Sequence, residues 1–416
     1  VANSVKLPQY SWYDPREVEY PLPENWQVTV HNIAGYNRPA LKADEIRKAV
    51  TSPIGMPPLR ELAKGRQEVA ILFDDLTRCT RVYEIVPFVL EELAEAGITD
   101  DRIRFIAAVA NHQALDRSNL VKKLGEDVLR RFPVYNHCPF MNCTDIGTTS
   151  YGTRVFINAE VLHCDLKISI GQIVPHPQYV FSGGAKIILP GVASYETVVS
   201  HHGVIHEPWK AERRKQGLPS GGYIEDSPVT GDAREVAKTV GLDMIVNCLV
   251  NLMGETAAVY AGALEPAYAE ALQEAKSHYL SVNTRDSDIV IANAFDKAAE
   301  YSMAMSSAIQ ALKPDGGDVV IITNSPSGQD VHYLFDSFGK TISGSLGRSM
   351  TVPPHINNLI IYTEFPELRI LDRYSNRDKV RLMSDWTQVI ETLVKNHGAG
   401  TKVAVYPSAD IQYFGD

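Results

Sequence analysis

At 416 residues the chain exceeds what one ordinary core holds, so two domains are expected. A 44% hydrophobic and 22% charged composition without low-complexity tracts excludes a disordered or fibrous chain. A formal net charge of −10 argues against a general nucleic-acid binder, which needs a positive surface, while leaving room for a local basic pocket for a small anion.

The N-terminal stretch VANSVKLPQYSWYDPREVEYPLPENW has no apolar run of the length a signal peptide or a membrane span requires. No membrane partner and a cytoplasmic location are therefore expected. EVAILFDD (68–75) reads as a buried strand and VYEIVPFVLEELAEAG (82–97) as an amphipathic helix closed by glycine. RIRFIAAVANH (102–112) is a second strand, DLKISIGQIVPH (165–176) contains a third, and DMIVNCLVNLMG (243–254) a fourth. EPAYAEALQEAKSHYL (265–280) is a helix, polar on one side, that crosses into a second unit. That unit has strands of its own at SDIVIANAF (287–295), GDVVIITNS (317–325) and NNLIIYTEF (357–365). GTKVAVYPSAD (400–410) is a last strand. The expected fold is α/β, two α/β domains with mostly parallel sheets over 1–270 and 283–395, the tail 398–416 returning to the first. No internal repeat is present.

The five cysteines (Cys79, Cys138, Cys143, Cys164, Cys248) are odd in number and sparse, which suits a reducing compartment better than a disulfide framework. His137, Cys138, Cys143, His163 and Cys164 resemble a zinc set only in composition, because HCPFMNC lacks a closing CxxC.

Ligands of open α/β sheets gather beyond the carboxyl ends of the strands. Three strands here end in reactive side chains. FDDLTR supplies Asp74, Asp75, Thr77 and Arg78; AVANHQ supplies Asn111 and His112; PHPQYVFSGGAK supplies His176 and Lys186. SHHGVIHEP follows with His201, His202 and His206. Each has a plainer reading: a helix cap with a surface ion pair, a hydrogen-bonded structural histidine, a surface His-His pair. The plainer readings rarely all fall on one edge of one sheet.

Lys186 fits a plain reading least. A lysine among Ala, Ile, Ile and Leu does not stay buried and charged without a partner, and desolvation favours the neutral amine, a nucleophile or covalent anchor. Gly183 and Gly184 let backbone N–H groups approach a phosphate closely, but the stretch fails the P-loop pattern GxxxxGK[ST]. The residues alone point to a phosphate-bearing cofactor attached to, or touching, Lys186.

FDDLTR, the Asn-His of AVANHQ, HPQYVFSGGAKIILPG and VASYETVVSHH together resemble the nickel-pincer-dependent lactate racemase family, from about residue 60 to 255 and more loosely beyond. The resemblance implies an active site in the cleft between the two domains. It implies a nickel pyridinium-3,5-bisthiocarboxylic acid mononucleotide joined to Lys186 as a thioamide, with Ser182, Gly183, Gly184 and Thr77 as further cofactor contacts. Nickel would take His202 as its protein ligand, in preference to His201. His112 and His176 would be the acid/base pair, with Asp75 and Arg78 touching the substrate or its catalytic histidine. Cofactor-synthesis enzymes are implied partners.

The implied activity is an isomerase, a racemase or epimerase of 2-hydroxy acids that removes hydride from Cα and returns it through a 2-keto acid. Hydride removal suits this substrate, because a Cα–H beside a carboxylate is barely acidic, and each orientation of the hydroxyl then needs its own base. Arg78 suits the carboxylate through its forked N–H pair. The family's second domain adds a Gln and a Lys on one helix. NAFDKAAEYSMAMSSA (293–308) does not show that pair; Lys297 and Tyr301 are the substrate-binding candidates there. A substrate larger than lactate or differently substituted is therefore expected, aromatic, dicarboxylic or sugar-derived. EPWKAERRKQGLPSGGYIEDSP (207–228) reads as an insertion whose basic run is a solvated loop. Two other classes compete: a zinc-dependent hydrolase using His112, His176 and His202, and a non-catalytic carrier of cofactor or ligand.

Overall fold

The structure, a computed structural model, describes residues 3–216, 227–347 and 349–415. Two six-stranded sheets carry the fold. The first runs in the order Thr256–Gly262, Met244–Val250, Leu166–Gln172, Val69–Phe73, Ile103–Ala107, Val134–Asn136, and is parallel except for the first pair. Its central strand VAILF is buried throughout, as a parallel strand covered on both faces must be. Ala70 and Leu72 face one apolar layer while Val69, Ile71 and Phe73 face the other, the two-residue period of a strand.

The second sheet is parallel throughout, in the order Val380–Met383, Ile356–Tyr362, Gly317–Thr323, Ile289–Ala294, Lys402–Tyr406, Gln27–Val30. Two expectations are corrected here. The strand in the tail 398–416 does not return to the first sheet; it pairs with Ile289–Ala294, whose other edge is already taken by Gly317–Thr323. The first thirty residues likewise do not belong with the stretch 1–270. Asn3–Gln9 and Arg16–Leu22 form an antiparallel hairpin whose alternate residues Val5, Leu7, Tyr20 and Leu22 pack on Ile289, Ile291, Val320 and Ile360. Their apolar faces cover a side of the second sheet that also packs against Trp26 and the helix Trp386–Val394.

The helix Leu264–His278 leads from one sheet toward the other. Of the segment 207–228, Glu207–Lys215 is helical and residues 217–226 lie outside the described residues. All five cysteines are free, and no helix among the described residues is long and apolar enough to cross a membrane.

One buried ion pair ties a helix to the end of the central strand. Lys123, fully buried, places Nζ 2.8 Å from Asp74 Oδ1 and donates to the Arg78 carbonyl at 2.9 Å. Asp74 also accepts from Thr80 Oγ1 at 2.6 Å and from the Gln172 amide at 2.9 Å. Removing the cation leaves a buried carboxylate without its charge partner. Lys123→Met should therefore lower unfolding free energy by about 3–5 kcal/mol, read as a shifted midpoint in urea.

Candidate active site

In the first sheet the chain runs outward from Val69–Phe73 to Val134–Asn136, then returns to place Leu166–Gln172 on the other side of the starting strand. The switch point lies between those two strands, and their carboxyl ends open there. Loops from both sheets line one cavity of about 560 Å³. Asp75, Thr77, Arg78, His112, His176, Ser182, Gly183, Gly184, Lys186 and His202 all border it.

Lys297 and Tyr301 do not border it, a correction to the substrate-binding set. Lys297 is fully buried, its amide donates to Asp410 at 2.6 Å and its Nζ to the Pro175 carbonyl at 3.2 Å. Burial, then Arg78, push its pKa down to about 8. Tyr301 precedes the helix Ser302–Ala311 and turns into the second sheet's core with Ala304, Ala308 and Tyr374. Ala299 and Glu300, between them in sequence, reach the cavity, and Glu300 brings the charge.

His112 sits among carboxylates. Its Nδ1 is 2.7 Å from Asp75 Oδ2 and 3.1 Å from Asp330 Oδ2, and its Nε2 is 3.8 Å from Glu300 Oε1. The His332 ring lies edge-on, 5.0 Å between centroids. Burial alone would discharge the imidazole, but Asp75, Asp330 and Glu300 outweigh it and lift its pKa to about 10. Asp75 stays ionised against its own burial because His112, Thr77 and Arg78 hold the anion. Asp330 moves the other way, to about 8, through burial and the neighbouring carboxylates. In the free chain, ¹³C-labelled His112 should keep its imidazolium shift at pH 8 and titrate only near pH 10; a midpoint below 7 would contradict this arrangement.

His176 is the opposite case. Burial, then Lys186, Lys297 and Arg78, drive its pKa well below the usual histidine value, so the ring is neutral. Its Nδ1 accepts from the Gln178 amide at a long 3.2 Å. Lys186 is held down in the same way, first by burial, then by Arg78 and Lys297. Its Nζ lies 5.1 Å from the Tyr179 ring centroid, and among the described residues no carboxylate lies within ion-pair distance.

Gly183 and Gly184 precede this lysine with φ of +87° and +52°. A Cβ on Gly183 would lie 2.7 Å from Asn247 Oδ1, and one on Gly184 2.7 Å from the Tyr268 ring. Both positions therefore exclude a side chain by conformation and by space. Asn247 fixes the turn by accepting the Gly184 amide at 3.0 Å, while its buried Nδ2 on the cavity wall has no partner. Ser182 spends its hydroxyl inside the loop, near the Gln172 and Val174 carbonyls at 3.3 and 3.2 Å.

The two adjacent histidines separate cleanly. His201 is engaged at both nitrogens, Nδ1 with Asp232 Oδ2 and Nε2 with Tyr179 Oη, each at 2.6 Å. His202, one residue on, borders the cavity and its buried Nδ1 has no hydrogen-bond partner. Both lie on the π-helical turn Ser200–His206, a distortion that re-aims successive side chains and recurs at functional sites. Among the described residues no three His, Cys, Asp or Glu side chains converge as metal ligands would. His112, His176 and His202 are thus not a zinc triad, nor are His137, Cys138, Cys143, His163 and Cys164.

Sequence reasoning missed Glu300, Asp330, His332 and Asn247. Asp330 and His332 follow the strand Gly317–Thr323, so the strand-end rule applied to the second sheet would have flagged them.

Residues 13–213 match the lactate racemase N-terminal domain family. The chain is 28% identical over 324 residues to the lactate racemase of Thermoanaerobacterium thermosaccharolyticum, spanning 76% of this chain and 74% of that one. The chain is similar to the lactate racemases. A second lactate racemase, from Lactiplantibacillus plantarum, is 28% identical over 326 residues, with the same coverage of 76% and 74%. In fold, the lactate racemase apoprotein of T. thermosaccharolyticum superposes with a TM-score of 0.74 over all of both chains at 20% identity. A Thermotoga maritima protein superposes with a TM-score of 0.66 at 17% identity, over 90% of this chain and 98% of that one. These likenesses establish the two-sheet α/β fold that this chain shares with the lactate racemase apoprotein.

Proposed function

We propose that the chain is a racemase or epimerase of 2-hydroxy acids, working with a nickel-pincer nucleotide carried on Lys186. The observation that carries this reading is that Lys186, His202, His112 and His176, the residues such an enzyme needs on four separate segments, border one cavity.

The residues fit the group. Lys186 offers an amine with a depressed pKa, the form that acylates, and the Gly183–Gly184 turn before it borders the cavity, packed from behind by Asn247 and Tyr268. His202 keeps an orphaned ring nitrogen, as expected of a metal ligand that lacks a protein acceptor. When bound, the nucleotide supplies an acceptor that takes hydride from the substrate Cα and returns it.

The chain's own residues handle the proton and the carboxylate. Racemisation by this route begins with one histidine neutral, to accept the hydroxyl proton, and the other charged, to donate one after the planar keto acid forms. His176 and His112 suit these two roles: burial and then nearby cations keep the first neutral, while carboxylates keep the second charged against its burial. Asp75 accepts the Nδ1–H of His112, which leaves Nε2 as the working nitrogen. For His176 to accept a proton on Nε2, its resident proton must sit on Nδ1, and the long bond from Gln178 is given up. Arg78 is buried beside both and carries the guanidinium for the substrate carboxylate.

Expressed together with cofactor-synthesis enzymes, the chain should scramble an enantiopure 2-hydroxy acid at C2, followed by polarimetry or chiral chromatography. A chain that carries the nucleotide yet leaves a panel of such acids unchanged would overturn the proposal.

A further inference from the structure

Glu300 changes the substrate end of the cavity. One oxygen holds Arg78 Nη1 at 3.1 Å and the other lies 3.8 Å from His112 Nε2. The guanidinium suited to the substrate is thus already shared with a fixed anion. Asp330 brings a second carboxylate to the same wall, and its Oδ2 has no hydrogen-bond partner, because the Nδ1–H of His112 goes to Asp75. Asn111 also borders the cavity; it is only 1% exposed, and neither its amide oxygen nor its amide nitrogen has a partner. Gln172, 2% exposed and on the same cavity, has an unpartnered Oε1.

These groups discriminate among the three kinds of side chain a larger 2-hydroxy acid can carry. An aromatic or aliphatic chain would bury the Asn111 amide and the Asp330 carboxylate without partners, the most expensive outcome for buried polar atoms. A second carboxylate would enter beside the ionised Glu300 and be repelled by it. Hydroxyl groups suit the wall, since each O–H donates to a carboxylate or amide oxygen and each oxygen accepts from an amide N–H. Resting on the racemase reading above, we infer that the substrate is a 2-hydroxy acid with further hydroxyls along its chain, recognised by Glu300, Asp330 and Asn111. Such a substrate has other stereocentres, so the reaction at C2 is an epimerisation.

The test compares the cofactor-loaded chain on gluconate, erythronate, lactate, malate and phenyllactate, with binding of gluconate measured by calorimetry. The polyhydroxy acids should exceed the other three in kcat/KM by roughly tenfold or more, as sites built on hydrogen bonds to substrate hydroxyls do. Glu300→Gln and, independently, Asp330→Asn should each shrink the gluconate-to-lactate ratio by roughly tenfold. A preference for lactate, malate or phenyllactate, or a ratio that neither variant moves, overturns the substrate assignment and leaves the racemase reading standing. Tight gluconate binding without turnover of any acid overturns the racemase reading and leaves the substrate assignment. Neither binding nor turnover overturns both.

Discussion

Lys186→Ala should abolish turnover of 2-hydroxy acids, by roughly 10⁴-fold or more, while the fold persists. The side chain faces a cavity and makes no ion pair that the fold depends on, so truncation removes little packing. What it removes is an amine made available by its surroundings: burial, then Arg78 and Lys297, hold it below the ordinary lysine range. Lys186→Arg is the sharper variant. It keeps a cation of similar length, but a guanidinium stays protonated and cannot form the thioamide. If Lys186 only balanced a phosphate charge, arginine would preserve activity; under the present reading it is as inactive as alanine. Kinetics on protein co-expressed with the cofactor-making enzymes decide between the two.

Asp75→Asn should lower kcat by about 10³–10⁴-fold, a loss of the size seen when a catalytic histidine loses the carboxylate that orients it. Asp75 accepts from His112 Nδ1 at 2.7 Å and from the Thr77 amide and hydroxyl at 2.9 and 2.5 Å, so its carboxylate is fixed from two sides. An amide there no longer selects the tautomer that leaves Nε2 working. It also removes one of the three anions that raise the His112 pKa, so the ring's titration midpoint should fall from about 10. The sign follows from the charge: with less negative potential the imidazolium releases its proton at lower pH. A kcat loss without that fall would assign Asp75 a role in substrate contact instead. Loading of Lys186 should be unaffected, because Asp75 is not part of the glycine turn.

Much of this site was legible in the chain because its parts lie at strand ends. EVAILFDD, RIRFIAAVANH and DLKISIGQIVPH read as buried strands from their apolar runs alone, and the residues after each do meet at one cavity. The glycine pair before Lys186 was legible for the same reason: two glycines in a buried stretch signal backbone with φ > 0 or a close approach, and both hold here. Other features were hidden by distance in sequence. Lys402–Tyr406 has the pattern of any central parallel strand, and nothing local says which sheet has a free edge for it. The N-terminal hairpin is mixed in polarity, because only alternate residues cover the second sheet. Lys297 looked like a substrate contact because charge at that place in the helix region was expected. The structure turns it under the strand of His176 and presents Glu300 instead, a reversal of sign that no single-residue pattern announces.

Covalent attachment at Lys186 can be read directly by mass spectrometry. Protein co-expressed with the cofactor-synthesis enzymes should gain a few hundred daltons in intact mass, the addition should map to the peptide that contains Lys186, and Lys186→Arg should lack it. Turnover of a 2-hydroxy acid by protein whose Lys186 is unmodified would contradict the account.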